Sequence, residues 1–279
     1  INLATRDLID EKNYPLVARS DFFKVKHGES IFHVPMSVHG KGKQMMPLEV
    51  GEVDAVVGNP PYVRQEELSK DYKKLLENLI ENEFPDADLS GRSDLHCYFW
   101  PHATSFLKEG GYYGFLTSSS WLDTEYGFHL QEWLLRHFAV LALFESNCEP
   151  WFTGARVTTA AALMRREPDP AKRAANTIRF VQLRKPLKEI LETFDPDPLE
   201  AARMLRDFVE SQEENLADDR WRIRVVNQHE LWQVGCAGSV AGVGAQALCL
   251  PSGGHKGRPL RPDDLSIFGA ANGLLGSRF

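Results

Sequence analysis

Apolar positions along the chain fall into short runs separated by polar stretches. Val53, Ala55, Val56 and Val57 make one such run, closed by Gly58 and followed at once by Asn59-Pro60-Pro61-Tyr62. A short run rich in β-branched residues and bounded by glycine and proline predicts a buried strand. Comparable runs over 16–18, 112–116, 140–145, 157–164, 177–184 and 221–226 predict further strands. Helical spacing appears between them. Leu68, Tyr72, Leu75, Leu76 and Leu79, with charges between, predict an amphipathic helix over 66–83. Ser93-Asp94 opens a second helix over 95–108, kinked at Pro101 and closed by Gly110-Gly111. Further helices are predicted over 122–138, 186–194 and 199–214, and residues 2–12 read as the end of another. Residues 24–52 read as a variable loop with room for a hairpin. The last fifty residues are glycine-rich and weakly periodic. Pro168 and Pro170 mark a boundary. Strands alternating with helices predict an α/β fold.

The turn after the 53–58 strand has specific chemistry. Pro60 and Pro61 fix φ on two successive residues and remove two N–H groups, so neither a ladder nor a helix can form there. The residue before each proline is held extended, which leaves the Asn59 and Pro60 oxygens available. One side-chain carbonyl, one main-chain carbonyl and the Tyr62 ring form a receptor for a planar group bearing an –NH2. In open α/β sheets, ligands bind at the carboxyl ends of the strands. The alternative is an ordinary strand-ending turn with a buried tyrosine.

Asp21-Phe22-Phe23, just past the 16–18 strand, also permits two readings. The carboxylate and an aromatic face can receive an adenine, or Asp21 caps a helix beside two core phenylalanines. Ser118-Ser119-Ser120 has no His–acid partner and no Gly-x-Ser-x-Gly elbow, so it is not read as a nucleophile.

The Asn59–Tyr62 string resembles the amino-methyltransferase motif of S-adenosylmethionine-dependent enzymes in its adenine-N6 form. The likeness continues through Ser93-Asp94-Leu95, the helix ending Leu107-Lys108-Glu109-Gly110-Gly111, the strand ending Phe115-Leu116-Thr117, and Ser120-Trp121-Leu122. Thr117 stands where the family usually has proline. The resemblance covers roughly residues 1–167. It fits the gamma order of elements, and with the downstream extension it looks most like the methylase part of type IIG restriction–modification enzymes.

That resemblance implies a Rossmann-like methyltransferase sheet, N-terminally truncated, followed by the start of a target-recognition domain. The division is expected at 1–167 and 168–279. It implies S-adenosyl-L-methionine as cofactor, with Asp21 and Phe22 at its adenine, and catalysis by Asn59, Pro60, Pro61 and Tyr62. Substrate contacts are implied for Phe115 and for Phe152, with Trp151 as the rival of Phe152. The implied partner is double-stranded DNA, in a bacterial cytoplasm, with a nuclease domain placed in the same parent protein. No metal is implied. The cofactor's glycine loop is expected upstream of Ile1, so the chain by itself is expected to be inactive. A methyltransferase acting on protein glutamine or ribosomal RNA, and a non-catalytic DNA-binding relic, remain as alternatives.

Composition changes this picture little. Of the 279 residues 43% are hydrophobic and 25% charged, as in soluble globular proteins. No apolar run approaches the ~18 residues of a membrane helix. The four cysteines are dispersed without a Cys-x-x-Cys pair, which predicts reduced thiols, and Cys236, Cys249 and His255 have no metal-site spacing. Net charge is −7, yet eight Lys and Arg crowd residues 165–188. They either face phosphates or form the solvated face of ordinary strands.

Overall fold

The computed structural model describes residues 18–38, 42–152 and 158–233. The helix expected over 2–12, residues 16 and 17 of the first expected strand, and Cys236, Cys249 and His255 lie outside them. The chain forms a two-stranded antiparallel hairpin, β1 (Ser30–Val38) with β2 (Gly42–Glu49), inside the stretch read as a loop. Pro35 and Pro47 withhold N–H groups from its ladder, and Met36, Met45 and Met46 are exposed on it.

The main body is a seven-stranded sheet. In chain order its strands are β3 (Val53–Gly58), β4 (Leu107–Ser118), β5 (Phe138–Ser146), β6 (Thr159–Arg166), β7 (Thr177–Leu183), β8 (Leu216–Ala217) and β9 (Trp221–Asn227). Across the sheet they run β3-β4-β6-β5-β7-β9-β8. β3 and β4 pair in parallel, as do β5 and β7, while β6 and β9 run against their neighbours. Among the described residues seven α-helices accompany them: α1 (Lys70–Glu83), α2 (Leu95–Thr104), α3 (Ser120–Asp123), α4 (Glu125–His137), α5 (Pro170–Ala175), α6 (Leu187–Glu192) and α7 (Pro198–Glu210).

Alternation along the strands sends side chains to two cores. Leu143 and Phe180 join Trp100, Trp121 and Trp133 beneath α1, α2 and α4. Their chain neighbours Phe144 and Val181 join Trp221, Ile190 and Leu205 beneath α6 and α7. The result is an α/β/α sandwich, the class the strand–helix alternation predicts.

Three element boundaries differ from expectation. The second helix stops at Thr104, not at residue 108, and β4 already begins at Leu107. Gly110, at φ +75°, lies within that strand rather than closing the helix. The single helix expected over 122–138 is two, because Thr124 is extended at φ −107° and ψ 154°. A Cβ at Gly127 would overlap the Trp121 carbonyl, so only glycine allows the chain to double back this closely.

The expected division at residue 167 falls within the sheet, not between two sheets. β7 pairs with β5, and β9 with β7. Gln228, only 2% exposed, ties the region together. Its Oε1 accepts from Val140 N (3.0 Å) and Asn176 Nδ2 (2.8 Å), while its Nε2 donates to the Leu135 and Phe138 carbonyls (3.1 and 2.7 Å). Every hydrogen-bonding position of this buried amide is therefore filled, as burial requires.

Much of the basic block is spent on the protein itself. Arg166 donates to the Thr104 and Leu107 carbonyls, Arg173 to Glu167 O, Arg179 to Gln212 O and Arg184 to Asp218 O. Arg165 pairs with Glu167 and Lys185 with Asp219. These contacts favour the structural reading of that block over a phosphate-facing one. Among the described residues, no helix is long and apolar enough to cross a membrane.

Candidate active site at the carboxyl edge of the sheet

β3 ends at Gly58, just ahead of the two prolines that cannot continue its ladder. A Cβ there would sit 3.1 Å from the Phe115 ring, so the bare glycine lets the turn start directly above β4. Asn59 follows. It is exposed, and its side chain makes no hydrogen bond among the described residues. Pro60 is buried and Pro61 exposed, so one proline anchors the turn while its neighbour faces outward. No peptide bond here is cis.

Tyr62 is half-buried, and its hydroxyl donates a long bond to Leu116 O (3.4 Å). Burial pushes its pKa up to about 12, so the ring is a neutral face at any physiological pH. Phe152 comes to it from the connection between β5 and β6. The two rings meet edge to face, centroids 5.9 Å apart at 77°. The topology explains the encounter: β3 and β5 point the same way, so the turn after one and the loop after the other project from a single edge. Trp151 turns away and packs against the core beneath α6 and α7. Of the two aromatics named for this loop, Phe152 is the one brought to Tyr62.

Phe115 is a different case. It is 4% exposed and packs on Trp100 and Tyr113, with centroids 4.7 and 4.6 Å away. Its contact with the motif is made from below, through Gly58, and it presents no face to a substrate.

Asp21 and Phe22 stand on a short 3-10 turn (Phe22–Lys24), capped by Asp21 Oδ1, which accepts from Phe23 N (3.2 Å). The helix-cap geometry is thus present, and one of the two phenylalanines, Phe23, is in the core. Phe22 is only partly buried and stacks on Phe99 of α2, centroids 5.3 Å apart at 14°. His102, one turn further along α2, is fully buried. Its Nε2 lies 2.9 Å from Phe22 O and its Nδ1 2.9 Å from the Glu83 carboxylate, so the ring bridges the 3-10 turn and the end of α1. The sequence reading missed Phe99 and His102, since their spacing in an apolar helix looks like core packing. An exposed carboxylate beside a pair of parallel rings suits a flat, amine-bearing heterocycle.

The serine run is explained by packing. Ser119 Oγ donates to Thr158 Oγ1 (2.8 Å), Ser118 Oγ to Ser120 Oγ (3.0 Å), and Trp121 Nε1 to Thr117 Oγ1 (3.1 Å). No cluster of three or more His, Cys, Asp or Glu suited to a metal occurs among the described residues.

The chain resembles known proteins. The family described as Eco57I restriction-modification methylase matches residues 3–152, more than half of the chain. The type II methyltransferase M.XamI of Xanthomonas campestris pv. amaranthicola is 33% identical over 116 residues, which are 40% of this chain and 21% of that protein. The adenine-specific methyltransferase BrxX of Escherichia coli O9:H4 (strain HS) is 33% identical over 110 residues, 39% of this chain and 8% of that one. By its matched region the chain thus spans only 21% and 8% of the length of these two relatives. The type IIG restriction endonuclease BpuSI aligns in structure with a TM-score of 0.49 at 18% identity, over 69% of this chain and 22% of that one.

Proposed function

The chain belongs to the Eco57I restriction-modification methylase family, and on that premise we propose that it carries the catalytic part of a DNA methyltransferase acting on adenine N6. The observation that most supports this is the meeting of Tyr62 and Phe152 beside an exposed Asn59, all at the carboxyl edge of one sheet. Two aromatic faces and a free amide oxygen are what a base removed from the stack requires.

In this reading the target adenine lies against Tyr62 and Phe152. Its amino group donates one hydrogen to the Asn59 side-chain oxygen and the other to the Pro60 carbonyl. Those two acceptors fix both hydrogens and favour a pyramidal nitrogen, whose lone pair is less delocalised into the ring and free to bond the incoming methyl. The proline-locked turn holds them in place beforehand, so no reorganisation is needed at the moment of reaction. S-adenosyl-L-methionine, when bound, supplies the methyl group as an electrophile. Asp21 and Phe22 would hold its adenine. Asp21 is exposed and Phe22, stacked on Phe99 on one side, is only partly buried, so a carboxylate acceptor and an aromatic ring are present for that group.

Double-stranded DNA is the proposed partner and the bacterial cytoplasm the proposed location, with a nuclease in the same parent protein. A target-recognition role for 168–279 belongs to the same proposal.

The reading is tested by incubating the intact protein with DNA and methyl-labelled cofactor, then digesting the DNA to nucleosides. Label recovered in N6-methyl-2′-deoxyadenosine is expected. Label in cytosine, in ribosomal RNA or in a protein glutamine, with none in DNA adenine, would overturn it.

A further inference from the structure

The turn that carries Asn59 has few tethers of its own, since Pro60 and Pro61 contribute no N–H. Its far end is held from α2. Leu95 N donates to Val63 O (3.0 Å), and Gln65 N donates to Asp94 Oδ1 (3.0 Å).

Asp94 occupies the N-cap position of α2, extended at φ −65° and ψ 155°. An aspartate there ordinarily accepts from the N–H groups of its own first turn. Asp94 makes no such bond. Both oxygens are turned to other elements instead. Oδ1 takes the Gln65 amide, and Oδ2 accepts from the Tyr126 hydroxyl of α4 (2.7 Å) and from Ser120 Oγ of α3 (3.4 Å). Tyr126 Oη and Ser120 Oγ lie 2.9 Å apart, and Ser118 Oγ, at the end of β4, reaches Ser120 Oγ at 3.0 Å. One carboxylate therefore joins the segment after the motif to the end of β4 and to the α3–α4 corner.

Giving up a local cap for three distant donors makes sense if the placement of the 59–65 segment matters more than the end of α2. We propose that Asp94 is a positioning residue for methyl transfer. It holds the Asn59–Tyr62 turn in register with the end of β4 and the α3–α4 corner, and it acts through the Gln65 amide without touching the substrate. Tyr126 and Ser120 fix the carboxylate in turn. The proposal rests on the methyltransferase reading for its catalytic consequence, but not for the tether itself.

The experiment combines two measurements on the intact protein and its Asp94→Ala, Asp94→Asn and Tyr126→Phe variants. Amide hydrogen exchange reports the tether, and single-turnover methylation reports the consequence. In Asp94→Ala, exchange should rise at Gln65 and its neighbours while β4 and β5 keep their protection. The methylation rate should fall by about 10²-fold, the scale of an ångström-sized misplacement, with cofactor and DNA affinities unchanged. Asp94→Asn keeps an oxygen for the Gln65 amide and should recover most of the rate. Tyr126→Phe removes one of the donors to Asp94 and should fall between.

Wild-type exchange at Gln65 in Asp94→Ala would overturn the proposal. So would a rise in exchange spread through β4 and β5, which would mark Asp94 as a general stabiliser. Should the wild-type protein methylate no DNA, the functional reading falls, while exchange at Gln65 still decides whether Asp94 holds the turn.

Discussion

Tyr62 and Phe152 stand edge to face, centroids 5.9 Å apart, although ninety residues separate them in the chain. An edge-to-face pair closes the space that a base between two faces would fill, so the pair must open as the base enters. Tyr62→Ala should weaken capture of the extruded adenine by about 1–3 kcal/mol, the range of base–aromatic stacking. Tyr62→Phe loses only the long bond to Leu116 O and should be mild. Fluorescence of 2-aminopurine at the target position reads this directly. An equal rise in wild type, Tyr62→Ala and Phe152→Ala would remove both rings from the role.

Phe115 should behave as a core residue. Phe115→Ala is expected to cost about 3–5 kcal/mol of stability, as for other buried aromatics cut to alanine, because its ring supports Trp100, Tyr113 and the Gly58 turn. Urea unfolding measures it. Weakened 2-aminopurine capture with unchanged stability would return Phe115 to the substrate site.

Gln228 tests whether the strands after residue 167 are part of the catalytic unit. Gln228→Leu strips the buried Val140 N–H and the Leu135 and Phe138 carbonyls of their partner. The expected cost is about 1–3 kcal/mol, seen as a single unfolding transition at lower denaturant. Two separate transitions, with only the second shifted, would divide the chain near residue 167 after all.

His96 predicts acid lability. It is fully buried, its Nδ1 has no partner among the described residues, and burial lowers its pKa to about 4 despite the nearby Asp94 charge. The unfolded chain, with histidine near 6.5, binds this proton more readily than the folded one. Stability is therefore complete above about pH 6.5 and declines as pH falls toward 4, by about 3 kcal/mol in all. Denaturant titrations at pH 7 and pH 4.5 should show the loss, and His96→Leu should shrink it. An unchanged pH dependence in that variant would assign the lability elsewhere.

How much of this was legible beforehand varies with the kind of signal. Strands 138–146, 177–183 and 221–227 were readable within a few residues, because their alternation faces two cores and admits no other register. The start of β4 was not. Leu107 to Gly111 scans equally as a helix end, and only pairing with β3 makes Leu107 a strand residue. The break at Thr124 depends on the approach of Gly127 to Trp121, a contact no local pattern contains. In the site, Asn59 and Tyr62 were legible because two prolines leave the turn few conformations. Phe152 was named ahead of Trp151 on the resemblance alone, and which ring the loop turns toward Tyr62 is seen only in the fold. Phe99, His102 and Asp94 were hidden for a related reason. Each serves a segment distant in sequence while standing on what reads as an ordinary helix.

The central claim is that Asn59 acts on the reacting nitrogen and not on binding. Its most direct test is single-turnover methylation by the intact protein and by Asn59→Ala, at saturating cofactor and DNA. The account predicts a rate lower by about 10²–10³-fold, as for loss of one positioned polar group, with DNA affinity unchanged. A near-normal rate in Asn59→Ala, or a loss that saturating DNA restores, would contradict it.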